Sequence, residues 1–201
     1  MHRRRMLPLF FFLLIFTGCP RNAEDAMMLE IYHNLHAEID RAVTGTDISA
    51  AYLAALITLE SHPAGNKNSY RFEPHVYERL REVKYNHKAW GSITAGNLRG
   101  YDDDELRAMS ASYGLTQIMG YHCVWLGCSV ADLKGEYHLQ WAVAWMIRHY
   151  GVEARAGKWA ECFRIHNTGR PNGRTSRADY VQRGLVRMQY YQEWAQKEGR
   201  L

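Results

Sequence analysis

Cysteine, excess charge of one sign and long apolar runs are all scarce in this 201-residue chain, and each shortage excludes something. Four cysteines are too few for a disulfide scaffold. Cys123, Cys128 and Cys162 have no second closely spaced Cys or His pair beside them in the chain, which argues against a zinc site. In an oxidising compartment Cys123 and Cys128 would close a small loop and leave Cys162 as a buried thiol. The ten histidines, among them His33, His36, His62, His75, His87 and His122, show no helical zincin spacing, so no metal and no cofactor is expected. The formal charge of +4 includes Arg3, Arg4 and Arg5 at the extreme N-terminus; without them 22 basic residues face 21 acidic ones, a net of +1. Acidic and basic residues also interleave, as in Glu78-Arg79-Leu80-Arg81-Glu82. That pattern reads as solvated helix surface, and no nucleic-acid partner is expected.

The longest apolar run, residues 7–16, is about half of what a helix needs to cross a bilayer. It follows the basic Arg3-Arg4-Arg5 and precedes the small Thr17 and Gly18, which is the layout of a secretory leader. Cys19 directly after Thr17-Gly18 resembles the lipobox of bacterial lipoproteins, although Phe16 stands where leucine is usual. That resemblance implies a signal peptide over residues 1–18, lipidation of Cys19 and a short tether over 19–23. The domain over 24–201 would then stand at the periplasmic face of a membrane, the alternative being a secreted protein.

No linker, repeat or low-complexity tract follows, and 47% hydrophobic residues suffice for one buried domain, expected to be a monomer. No stretch sustains period-two alternation, so the domain is expected to be mainly α. Met28, Ile31, Tyr32, Leu35 and Ile39 mark a first amphipathic helix, and Leu53, Leu56 and Ile57 a second after the turn at Thr44-Gly45-Thr46-Asp47. Pro74 opens a helix carrying Val76, Leu80 and Val83. Leu139, Val143, Met146, Ile147 and Tyr150 line another, with Gly151 placed to stop it. Trp159, Cys162, Phe163 and His166 share one face of the next, which ends at Asn167-Thr168-Gly169. Ser176-Arg177-Ala178-Asp179 reads as a capping-box variant opening a terminal helix toward Trp194. The polar, Gly-containing segment 84–101 reads as a long loop or a small hairpin lining a cleft.

Glu60 occupies the next position on the apolar stripe of Leu53, Leu56 and Ile57. Burial disfavours an ionised carboxylate and raises its pKa toward the range of a general acid. The competing reading is a glutamate turned out to solvent, because Ser61, His62, Pro63, Ala64 and Gly65 break the helix at once.

Three segments carry a family likeness in their order and spacing: Leu59-Glu60-Ser61, Ser112-Tyr113-Gly114-Leu115-Thr116-Gln117-Ile118-Met119-Gly120, and His166-Asn167-Thr168-Gly169 followed by Tyr180. With Arg71-Phe72-Glu73-Pro74 they resemble the lysozyme-like superfamily of peptidoglycan-cleaving enzymes, which includes goose-type lysozymes and soluble lytic transglycosylases. The likeness is strongest to the N-acetylmuramidases of phage and bacterial lysins. It implies a single lysozyme-like helical domain that cuts the β-1,4 bond between N-acetylmuramic acid and N-acetylglucosamine, with peptidoglycan strands as partner. Glu60 would be the catalytic acid. Ser112, Tyr113, Gly114, Gln117, His166, Asn167 and Tyr180 would contact substrate, Gln117 through an N-acetyl group or the Glu60 carboxyl. Tyr113, Tyr121 and Tyr180 would offer flat faces to sugar rings. His166 stands where the family has tyrosine, and either donates in its place or is a core histidine. Each of the others also has a plain structural reading: a turn for Gly114, surface for Gln117, packing for Tyr180.

The number of carboxylates separates two reactions. An inverting hydrolase needs a second carboxylate to activate water, with Glu73 the first candidate and Asp102, Asp103 and Asp104 the next. A lytic transglycosylase needs Glu60 alone and leaves a 1,6-anhydro product, which is the expectation for a membrane-tethered enzyme acting on its own cell wall. Hydrolysis with Glu73 is the first alternative, and a non-catalytic module holding glycan or an envelope protein the second.

Overall fold

The computed structural model describes residues 19–61 and 66–199. The expected leader over 1–18 and the helix-breaking residues 62–65 lie outside this range. Eight α-helices and one small sheet occur among the described residues, so the domain is mainly α, as expected.

Helix α1 spans Ala23–Val43. The Asn22 side chain caps it by accepting from the Asp25 amide at 2.9 Å, and Glu24 and Asp25 in the first turn suit the helix dipole. Its five expected apolar residues are all buried. Just before α1, Arg21 is bonded to Asp25 and to Glu193, and Asn22 donates to the Tyr190 hydroxyl at 2.9 Å.

Helix α2, Ala50–Glu60, departs from the expected one-sided stripe. Every residue from Ala51 to Thr58 is buried, because α2 is sandwiched between α1 and the last helix, α8 (Tyr180–Lys197). Ala51, Ala54 and Ala55 are small enough for neighbours to close on the sides that a stripe would leave to water. Glu60 is therefore one of the few α2 residues with any exposure.

Strand β1 (Tyr70–Phe72) pairs antiparallel with β2 (Ala111–Tyr113), and β2 with β3 (Ile118–Met119). Strands of two or three residues are too short to show alternation, which is why the sequence did not announce them. Between β1 and β2 lie α3 (Pro74–Asn86), with proline in its first turn, and α4 (Asp103–Met109). Asp102 and Glu105 form a reciprocal capping box on α4, so Asp102, Asp103 and Asp104 form the start of a helix. Helix α3 takes residues 84–86 from the expected loop. The remainder, 87–102, is a long turn-rich connection with a single Trp90–Ile93 bridge and no hairpin.

A short α5 (Cys123–Leu126) follows a 3₁₀ turn at Gly120–His122. Helix α6 spans His138–Arg155, and Gly151 does not stop it. The chain instead kinks at Tyr150 (φ −151°, ψ 28°) and resumes; Ile147, before the kink, is exposed and not in the core. Helix α7, Trp159–Thr168, ends on the left-handed Gly169 as expected. No capping box opens α8: Asp179 makes no side-chain cap bond and pairs with Arg177 and Arg183.

The main core joins α1, α2, α6, α7 and α8, and a second cluster built on Val76, Leu80, Val83, Leu106 and Met109 joins α3 and α4. The main core is threaded by a buried cation. The Arg187 guanidinium, from α8, binds the Glu24 carboxylate on α1 and donates to the Thr58 carbonyl at 2.8 Å and its hydroxyl at 3.0 Å on α2. The Arg187 hydrogen bond, more than the nearby charges of Arg187 and Arg183, holds the Glu24 carboxyl below its ordinary value of 4.5.

Arg187→Met should cost about 3 kcal/mol, read from urea unfolding, because it strands a buried carbonyl and half of an ion pair. Glu24 titrates lower in the fold than unfolded, so its contribution is present above pH 4.5 and lost as pH falls through the folded value. The variant should show a shallower loss of stability in that acid window than the parent.

Candidate functional site

Glu60 is the last residue of α2, where the helix leaves the core, and its side chain is half-buried. Ser61 closes the helix, its amide and hydroxyl both donating to the Ile57 carbonyl at 2.9 Å. The Tyr180 hydroxyl, from the first turn of α8, donates to Glu60 Oε1. Burial and, second, the Glu60 charge push the Tyr180 phenol well above its usual pKa, so it remains a donor. Glu60 Oε2 has no hydrogen bond among the described residues. Tyr180 is itself 4% exposed, so it orients the carboxyl and does not offer a face to a sugar.

His166 does not take the place of that hydroxyl. Its Nε2 lies 3.1 Å from the Thr116 carbonyl, which can only accept, so Nε2 carries the proton. Nδ1 then accepts from the Tyr150 hydroxyl at 3.0 Å, and Tyr150 in turn accepts from Tyr52 at 3.0 Å. Burial holds the His166 pKa below its usual value against the pull of the nearby Glu60 charge, so the ring is neutral and its tautomer fixed. His166 is a bridge between helices α6 and α7 and the segment between β2 and β3.

The turn between β2 and β3 is tied to itself. The Gln117 amide donates to Ser69 Oγ at 3.0 Å and to the Gly114 carbonyl at 2.9 Å, and its oxygen accepts from Ser112 Oγ at 2.7 Å. Gln117 adopts a left-handed backbone (φ 53°), and these three bonds hold it there. It makes no bond to Glu60 among the described residues, contrary to one expectation, and Ser112 is buried beneath it. Gly114 (φ 71°) is required by packing: a Cβ would meet the Leu133 carbonyl oxygen at 2.8 Å. Tyr113 is 4% exposed, donates to the Ala108 carbonyl at 2.7 Å, and is pushed by burial up to about 12. It is a core residue, not a sugar platform.

A cleft of about 720 Å³ opens between this turn, the start of α3 and helices α6 and α7. It brings Glu73, Gln117, His166 and Asn167 to one surface, together with Tyr121. Asn167 Oδ1 accepts from the Ser176 amide at 3.0 Å, so one side of its amide is occupied by its own loop. Glu73 stands at the N-cap position of α3 without a side-chain cap bond, half-buried, with Arg71 at 2.6 Å and His75 at 3.7 Å from its oxygens. Glu60, Ser112, Tyr113, Gly114 and Tyr180 are not among the residues lining the cleft. Glu60 adjoins it through His166, whose titration responds to the Glu60 charge.

Sequence reasoning missed the cleft floor, where His122 packs against Trp145 (ring centroids 5.3 Å) and His149 (5.2 Å), and Trp145 stacks on His149 at 4.2 Å. The Trp145 and His149 spacing of four residues on α6 was the available signal. His122, 9% exposed, is lowered to about 3 by burial and by the neighbouring His149 and His166. No group of three or more His, Cys, Asp or Glu side chains suited to a metal occurs among the described residues. Cys123 and Cys128 are free thiols with sulfurs 3.3 Å apart, away from the cleft. Cys162 is buried, and Cys19 is exposed. No described helix is long and apolar enough to cross a membrane.

His122 titrates far lower folded than unfolded. Unfolding therefore takes up a proton between about pH 6.5 and 3, and stability should fall as pH is lowered through that window, by up to about 1.4 kcal/mol per unit. Denaturant titrations across the window should show His122→Phe with one proton less of this dependence.

No family model and no curated protein matches the chain. Among solved structures, its fold is similar to that of an endolysin from Burkholderia AP3 phage, with a TM-score of 0.54 at 20% identity. The likeness covers 80% of this chain and 71% of that one.

Proposed function

We propose that the protein cleaves the β-1,4 bond between N-acetylmuramic acid and N-acetylglucosamine in peptidoglycan, with Glu60 as general acid and base and a 1,6-anhydro product. The fold likeness to a phage endolysin supports peptidoglycan cleavage in general. The observation that carries the reading is Glu60 itself, a half-buried carboxyl at the mouth of a buried helix, oriented by Tyr180 through one oxygen and unbonded at the other. Its proton passes to the glycosidic oxygen as the bond to C1 breaks; the muramyl 6-hydroxyl then bonds to C1 and returns its proton to Glu60. No water is consumed. Lipidation of Cys19, a monomeric state and a periplasmic location on a membrane belong to the same proposal.

Hydrolysis is the second reading, and Glu73 on the cleft wall is what favours it. The Arg71 guanidinium at 2.6 Å keeps Glu73 engaged, which weighs toward the one-carboxylate reaction.

Glu60→Gln retains an oxygen for Tyr180 and should fold normally while losing about 10²–10⁴-fold of muropeptide release from purified sacculi. Undiminished release would remove Glu60 from the chemistry. Mass spectrometry of parent products should show ends one water lighter than reducing ends, and Glu73→Gln should retain most activity; reducing ends with an inactive Glu73→Gln would establish hydrolysis instead.

A further inference from the structure

Beside the cleft, a second hollow of about 260 Å³ lies past Trp90, Tyr121, His122 and His149, which line both spaces. Its remaining wall includes Trp125 and Arg148 and no carboxylate. The Arg148 guanidinium lies 5.7 Å from the centre of the Trp125 ring. It makes no ion pair or hydrogen bond among the described residues. A cation–π contact restrains a guanidinium without using its N–H donors, so a full set of donors remains for an incoming group. Among the described residues other cations are held by carboxylates, as Arg183 and Arg187 are by Glu24 and Arg155 by Asp47.

A second observation points to a ligand at the same place. On the wall of the second hollow, His122 Nδ1 and Trp125 Nε1 are buried nitrogens without a hydrogen-bond partner among the described residues. A buried polar group left unpaired costs about 1–3 kcal/mol, and here an indole N–H and an imidazole nitrogen both await a partner. His122 is 91% buried by its 9% exposure and lines both spaces.

We infer that this second hollow is a binding site for the carboxylate-bearing peptide attached to the substrate glycan, held by Arg148 and by the unpartnered nitrogens of Trp125 and His122 beside it. This rests on the proposed function. The N-acetylated sugars of such a strand are neutral, and its negative charge resides on the peptide stems; an unpaired cation continuous with a glycan cleft therefore selects the stem. The site makes the enzyme discriminate between strands that carry peptides and strands that do not.

The test compares the parent with Arg148→Glu and Arg148→Lys on intact sacculi and on strands stripped of stems by an amidase, with the lactyl carboxylates so freed capped as methylamides. Arg148→Glu should raise KM about tenfold on intact sacculi and leave kcat and all rates on stripped strands unchanged, with Arg148→Lys intermediate. In parallel, a soluble N-acetylmuramyl-peptide is titrated into each protein and the indole N–H resonances are followed, with neutral chitotriose as control. The peptide should shift the Trp125 signal of the parent, and Arg148→Glu should abolish the shift. Equal effects of Arg148→Glu on both substrates, or no peptide-dependent shift in the parent, would overturn the site. Binding without any cleavage by the parent would overturn the proposed function and leave the site standing.

Discussion

Arg187 reaches from α8 into the seam between α1 and α2, and the arrangement around Glu60 depends on where it lands. Its donors grip the Thr58 carbonyl, two residues before the end of α2, and its partner Glu24 lies in the first turn of α1. Seven residues earlier on the same face of α8, two helical turns away, Tyr180 meets Glu60. Gly184 lies between them, and a Cβ there would sit 2.7 Å from the Phe163 ring of α7, so α8 is pressed against its neighbours along this whole stretch. An apolar residue at 187 would fill the space, but it would not set the register in which one helix slides along another. The directed bonds of Arg187 do, and the carboxyl at the end of α2 inherits that register.

The helices were largely legible in the sequence because long amphipathic periods survive translation into structure. Met28, Ile31, Tyr32, Leu35 and Ile39 mark the buried face of α1, and Gly169 ends α7 as its composition implies. What the sequence hid follows from context. A stripe on α2 was expected from Leu53, Leu56 and Ile57, but alanines on the other faces let two helices close over it. The sheet escaped notice because its strands are too short to alternate, and α4 because its aspartates were read as chemistry before being read as caps.

The site shows a similar division. Glu60 and Tyr180 were both singled out, yet their partnership spans 120 residues and no local pattern encodes it. Ser112, Gly114 and Gln117 belong together as expected from one motif, but their bonds run to each other, to Ser69 and to the backbone. They shape the turn that forms a cleft wall and hold it stiff. A motif can thus build the mould, while other residues of the cleft region, such as His122, Trp125 and Trp145, cluster only after α5 and α6 have packed.

The row of groups from Tyr52 through Tyr150 and His166 to Thr116 has a polarity: each hydroxyl gives its proton forward, and the row stops at a carbonyl. A carbonyl has nothing to pass on. Such a row is a strut and not a wire, and it can neither drain a proton from the neighbouring acid nor deliver one to it. In the proposed reaction, whatever Glu60 releases must therefore come back from the bound molecule or from solvent, which ties recharging of the acid to the same encounter that discharged it.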